Sequence, residues 1–239
     1  MQFFSYLING ISLGSVYALI ALGYTMVYGI AKMLNFAHGD VIMIGSYVVY
    51  FAFGASGLNP VLSIVLSMIV CTILGVVIER LAYRPLREAP SLAVLITAIG
   101  VSYLLQQVAQ LSWSSNPKSF TSVVSGMKPV SLFGGQLTIS AETIVTIVAC
   151  VVIMVVLMWF VNYTPAGHAM LAVSEDRGAA QLMGVNVNGT ISLTFAIGSA
   201  LAAIAGALLC SSYPTLQPTT GAMPGIKAFV AAVFGGIGS

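Results

Sequence analysis

Charge is what this 239-residue sequence has least of. Only 6% of its residues are Asp, Glu, Lys or Arg, whereas a soluble domain carries roughly 25%. So few charges cannot solvate a globular surface, which excludes a soluble fold and points to a polytopic helical membrane protein. The formal net charge of +2 is too small to suggest nucleic acid as a partner. Cysteine is scarce as well. Cys71, Cys150 and Cys210 each fall in an apolar run without CxxC spacing, so they read as small buried hydrophobes. His38 has no second His or Cys at ligand spacing, which argues against a metal site. The sequence has no GxxxxGK[ST], HExxH or GxSxG pattern, so neither ATP hydrolysis nor the common hydrolytic chemistries are expected of it. No basic region precedes the first apolar run, which is therefore expected to be retained as a span rather than cleaved.

What is present is apolar residue, 59% of the chain, in long unbroken runs. A membrane β-barrel would alternate in segments of about ten residues. The expected fold is an all-α bundle of about seven spans: 3–30, 36–53, 60–78, 92–113, 141–161, 191–211 and a seventh from Ile226. The last run ends in GGIGS without a polar tail, so a longer chain with about eight spans is expected. Lys and Arg set the orientation. Placing ERLAYRPLRE inside puts Lys32, Arg80, Arg84, Arg87 and Arg177 on the cytoplasmic side and the N-terminus outside. Lys118 and Lys128 then fall in an external loop, and Lys227 lies near the outer end of the seventh run. Two small-residue stripes at four-residue spacing, Gly10–Gly14–Ala18 and Gly198–Ala202–Gly206, suit close helix contacts in lipid.

The few polar groups inside apolar runs are the functional candidates. In NFAHGD, Asn35, His38 and Asp40 stand where the second run begins. They suit either a passage through the membrane or a helix cap made by Asn35 or Asp40. Gln106, Gln107 and Gln110 in the fourth run can bond a neighbouring helix or line a polar passage. Ser140 and Glu142 read as the cap and first turn of the fifth helix. Pro85 and Pro90 end a helix within the arginine-rich turn.

A polar island, TPAGHAMLAVSEDRGAAQLMGVNV, interrupts the apolar pattern at 164–187. Pro165 suits a first helical turn, and Gly184 suits a stop. At 100° per residue, Leu171, Ala172, Gly178, Ala179, Leu182 and Met183 share one face, opposite Ser174, Arg177 and Gln181. Alternatively, Ser174 caps a second short helix. Asn188-Gly189 is expected to turn the chain back to the membrane. Helices that lie on lipid carry bulky anchors and a Lys/Arg-rich face. Small residues with balanced charge suit insertion into a groove of a cytoplasmic protein.

Several stretches, in order, resemble one family: NGISLGSVYALIALGYTMVYGI, LNFAHGDVIMIGSYV, ERLAYRPLR, LITAIGVSYLLQ, GHAMLAVSEDRGAAQLMGV and KAFVAAVFGGIGS. They are similar to LivH-type permeases of bacterial ABC importers for branched-chain amino acids, over essentially all 239 residues. The resemblance implies a single permease domain over 1–239 in the bacterial inner membrane. It implies a coupling loop at 164–189 that enters a cleft of an ATPase, with Gly167, Ala172, Glu175, Asp176, Ala179, Ala180 and Gly184 in it. The implied partners are a LivM-like second permease, two LivG- and LivF-like ATPases and a periplasmic amino-acid-binding protein. ATP and Mg would bind the ATPases, with no cofactor in this chain. Related permeases carry urea and short-chain amides, which keeps the cargo open. An ion-coupled carrier would bury more ionisable groups at mid-membrane.

Overall fold

The computed structural model describes residues 2–124, 129–132 and 137–236. Nine α-helices occur among them. Five are long and apolar enough to cross a membrane: α1 (Gln2–Ala31), α3 (Pro60–Ile78), α4 (Ser91–Trp113), α5 (Ala141–Tyr163) and α8 (Val187–Ser212). Their starts follow local chemistry. Asn59 accepts a bond from the Val61 amide, with Pro60 at the first helical position of α3. Ser140 accepts from the Thr143 amide and Glu142 occupies the first turn of α5, as expected. Asn186 caps α8 through the Gly189 amide, so Asn188-Gly189 lies inside that helix rather than in a turn before it.

The second and seventh apolar runs form helices that are shorter among the described residues. α2 (His38–Val49) has 12 residues and continues into a π-helical turn over Tyr50–Ala55. α9 (Ala222–Gly235) has 14 residues. Composition marks a run as apolar but does not say at what depth the helix begins. Packing does: the ring of His38 at the start of α2 lies against Gly23 and Tyr24, well inside α1.

α8 is the central post. Of its most apolar window 72% is buried, against 11% for α5. The Gly198–Ala202–Gly206 stripe explains this burial. A Cβ on Gly206 would lie 2.6 Å from the Ile42 carbonyl oxygen, and one on Gly198 would lie 3.3 Å from Val27. Gly45 approaches the Ala203 backbone, where a Cβ would stand 2.8 Å from Cα. Hydrogen bonds add α3 to this packing: Ser67 Oγ donates to the Gly45 carbonyl of α2 at 2.8 Å and Thr72 Oγ1 to the Ala196 carbonyl of α8 at 3.5 Å. The other stripe, Gly10–Gly14–Ala18, is exposed and packs against nothing in the described residues. Val151, Val152, Val155 and Val156 of α5 also face outward, the surface a lipid environment requires.

Short strands cover one end. β1 (Lys118–Ser119) pairs with β4 (Thr215–Leu216), and β2 (Val130–Leu132) pairs with β3 (Leu137–Ile139), both antiparallel. Lys118 stands over the Tyr50 ring, and Lys227 lines a cavity with Thr215 on the same side. Lys128 lies outside the described residues. Lys32, Arg87 and Arg177 gather at the opposite end, around a second cavity.

Candidate functional site

The polar groups of the second and fourth runs separate into distinct places. Asp40 is 2% exposed, and its carboxylate accepts a 2.8 Å bond from Gln106 Nε2. Gln106 also donates to Ser102 Oγ at 3.3 Å, one turn earlier on α4. These groups line a cavity of about 280 Å³ between α2, α4 and α9, walled by Phe36, Ile99, Tyr103 and Ile226. Beside it the starts of α2 and α9 meet backbone to backbone. A Cβ on Gly39 would lie 2.7 Å from the Gly221 carbonyl oxygen, and one on Gly221 would overlap the Gly39 carbonyl. Only glycine at both positions lets the starts of α2 and α9 abut.

The remaining sequence candidates lie elsewhere. Asn35 is buried and accepts a 2.9 Å bond from the Tyr83 hydroxyl. His38 is buried against α1, and its Nε2 has no hydrogen-bond partner among the described residues. Gln107 is exposed on the outer face of α4, and Gln110 donates to Ser115 at 2.6 Å. The cap expected at the start of α2 is absent: Ala37 occupies that position, with no side-chain bond from Asn35 or Asp40. Asp40 still lies in the first turn, where the helix dipole favours a carboxylate.

The polar island folds as two helices rather than one striped helix. α6 (Pro165–Glu175) is capped by Thr164, which accepts from the Gly167 amide at 3.0 Å. The chain breaks at Asp176, whose carboxylate accepts from the Gly178 and Ala179 amides at 2.7 and 3.0 Å and so starts α7 (Arg177–Leu182). Asp176 fills the role considered for Ser174, which instead donates back to the Leu171 carbonyl. Gly184 has φ +85° and ends the element, as its position suggested. Met170, Val173 and Ala180 face the bundle, and Gly167 is pressed on the last carbonyls of α5. Gly167 and Ala180 therefore make their contacts within the chain. Glu175, Asp176, Ala179 and Gly184 are exposed, Ala172 is half-buried, and Leu182 and Met183 are 90% and 84% exposed.

Two arginines tie this element and the preceding turn to the bundle. Arg177 donates to the Ala31 carbonyl at the end of α1. Burial, and then the neighbouring Arg87 guanidinium, hold Arg177 below the ordinary arginine range. Arg87 pairs with Glu79, which is 0% exposed, and also bonds Asn188. Ser192 Oγ donates to the second Glu79 oxygen at 2.6 Å. Glu79 is the first residue of the stretch whose sequence suggests a cytoplasmic turn. The chain passes into a π-helical stretch at Glu79–Tyr83, which turns that side chain inward.

At the strand-covered end, Asn9, Ser12, Leu13 and Val16 of α1 line a cavity of about 480 Å³ with Glu142 and Tyr213.

The family model described as "Branched-chain amino acid transport system / permease component" matches residues 6–239. The chain belongs to this family. The high-affinity branched-chain amino acid transport system permease protein BraD of Pseudomonas aeruginosa is 44% identical, over 98% of this chain and 79% of its own. The LivH permease protein of Escherichia coli K12 is 42% identical, over 100% of this chain and 80% of its own. A probable branched-chain amino acid transport permease protein LivH of Methanocaldococcus jannaschii is 30% identical, over 92% and 70%. No solved structure matches the chain. As a family permease the chain is a transport subunit spanning the membrane several times, which agrees with its five long apolar helices.

Proposed function

We propose that this chain is one permease subunit of an ATP-driven importer that moves Leu, Ile and Val, delivered by a periplasmic binding protein, across the bacterial inner membrane. The observation that carries this reading is the similarity, over nearly all of this chain, to the branched-chain amino acid permeases. A LivM-like permease encloses the passage with it, and two LivG- and LivF-like ATPases bind ATP and Mg. The chain needs no cofactor of its own on this reading, since its sequence lacks a phosphate-binding loop. With Lys32, Arg80, Arg84, Arg87 and Arg177 facing the cytoplasm, the N-terminus is periplasmic.

On that orientation α6 and α7 are the coupling element. Leu182 and Met183 stand in water unless something covers them, and a cleft in an ATPase is the surface they suit. The Asp40–Gln106 cavity is the part of the chain best suited to the passage, because it sets a buried carboxylate and partly buried polar groups from apolar runs beside apolar walls.

The test is uptake of trace labelled leucine by cells lacking the gene, with and without the chain restored, with ATP depleted independently of the membrane potential. Restored uptake that needs ATP is expected. Uptake that ignores ATP but needs the potential would overturn the importer reading. No restoration, with chain and partners present, would move the cargo to urea, amides or another solute.

A further inference from the structure

Asp40 is a buried residue, 2% exposed, and among the described residues its side-chain partners are neutral donors. The ion pair found there, Arg87 with Glu79, belongs to a different part of the fold. A buried carboxylate without a cationic partner is costly, and a bound cation removes that cost. Asp40 does not serve as a helix cap, and the first-turn dipole that favours its carboxylate supplies only a fraction of a counter-charge. It lines a cavity whose other walls are Phe36, Ile99, Tyr103 and Ile226, with Ser102 and Gln106 as the neighbouring polar groups. Ile99 and Tyr103 are 42% and 62% exposed, so the cavity opens on the outer face of α4. A single ionised group beside aliphatic and aromatic walls matches a small molecule with one ammonium group and a branched hydrocarbon chain.

We propose that this cavity is a transient subsite in which Asp40 receives the α-ammonium group of the amino acid while Ile99, Tyr103 and Ile226 hold its side chain. Gln106 is the positioning residue: its bonds to Ser102 and Asp40 fix the carboxylate rotamer. The subsite rests on the reading of the chain as an amino-acid permease. It is weak by design of its walls, since the cavity is open and makes few directional contacts, and a transport intermediate must release its cargo.

The assembled importer in lipid nanodiscs, without binding protein, is examined by saturation-transfer NMR with leucine, 3-methylbutylamine and 4-methylpentanoate. Leucine and the amine are expected to give signal, and the deaminated acid is not. Equal signal from the acid and from leucine overturns the proposal with no variant required. Asp40→Asn should weaken leucine and amine binding on the order of ten- to hundredfold, the effect of one hydrogen bond to a charged group. In vesicles with binding protein, the same change should lower the maximal uptake rate and leave the half-saturation concentration alone, because capture precedes the subsite. ATP hydrolysis stimulated by binding protein should persist. Wild-type transport by Asp40→Asn overturns the subsite alone. Failure of the unmodified importer to move leucine overturns the functional reading itself.

Discussion

Replacing Arg87 by Met tests the energetics of the Glu79 knot. Glu79 is 0% exposed and Arg87 12% exposed at the side chain, so solvent screens the pair little. Without the guanidinium, one donor remains on the carboxylate, Ser192 Oγ. Breaking a buried pair from one side costs about 3–5 kcal/mol. Arg87→Met should lose about that much stability, since Asn188, the other Arg87 partner, is exposed and can turn to water. Adding Glu79→Gln replaces the stranded charge by an amide that still accepts from Ser192. The double variant should recover roughly 2 kcal/mol or more, a coupling within the range seen for contacting residues. The assay is denaturant-dependent unfolding of the purified chain in micelles for wild type, both single variants and the double. An Arg87→Met loss below about 1 kcal/mol, or a double variant no more stable than Arg87→Met, would refute the reasoning.

Two further changes probe packing and docking. A Cβ on Gly75 would overlap Ser199 Oγ and lie 2.7 Å from Ser199 Cβ, so Gly75→Ala should cost about 1–3 kcal/mol; Ser199→Gly in the same chain should return most of it, read by the same unfolding assay. Leu182→Ser with Met183→Ser removes two apolar side chains that touch little of the chain, so stability should change by less than about 0.5 kcal/mol while co-purification of the ATPase subunits falls; unchanged co-purification would reject α7 as the docking element.

The class of the molecule was plain in the sequence because 6% charge and long apolar runs leave one solution. Helix starts were legible where a cap and a proline or acid announce them, as at Asn59-Pro60 and Ser140–Glu142. Depth was not legible. α2 begins inside the bundle because two glycines let its first turn meet α9, a contact between residues 39 and 221 that no local pattern encodes. The coupling element failed as a single stripe because one residue, Asp176, bonds two amides and restarts the helix; a 100° wheel assumes no such break. For the site, Asp40 and Gln106 were both candidates, but their pairing spans 66 positions. Ser102, four residues before Gln106, could have been found from helical spacing.

The Arg177 bond to the Ala31 carbonyl joins α7 to the end of α1. α1 is an unbroken helix of 30 residues, roughly 45 Å of stiff rod. One end is pinned to the first turn of α7; near the other, Asn9, Ser12, Leu13 and Val16 form a wall of the 480 Å³ cavity. Tilting such a rod by a few degrees at its pinned end swings the far wall by several ångströms. A single stiff element therefore runs from α7 to that cavity, and any rigid tilt of it would be felt at both ends.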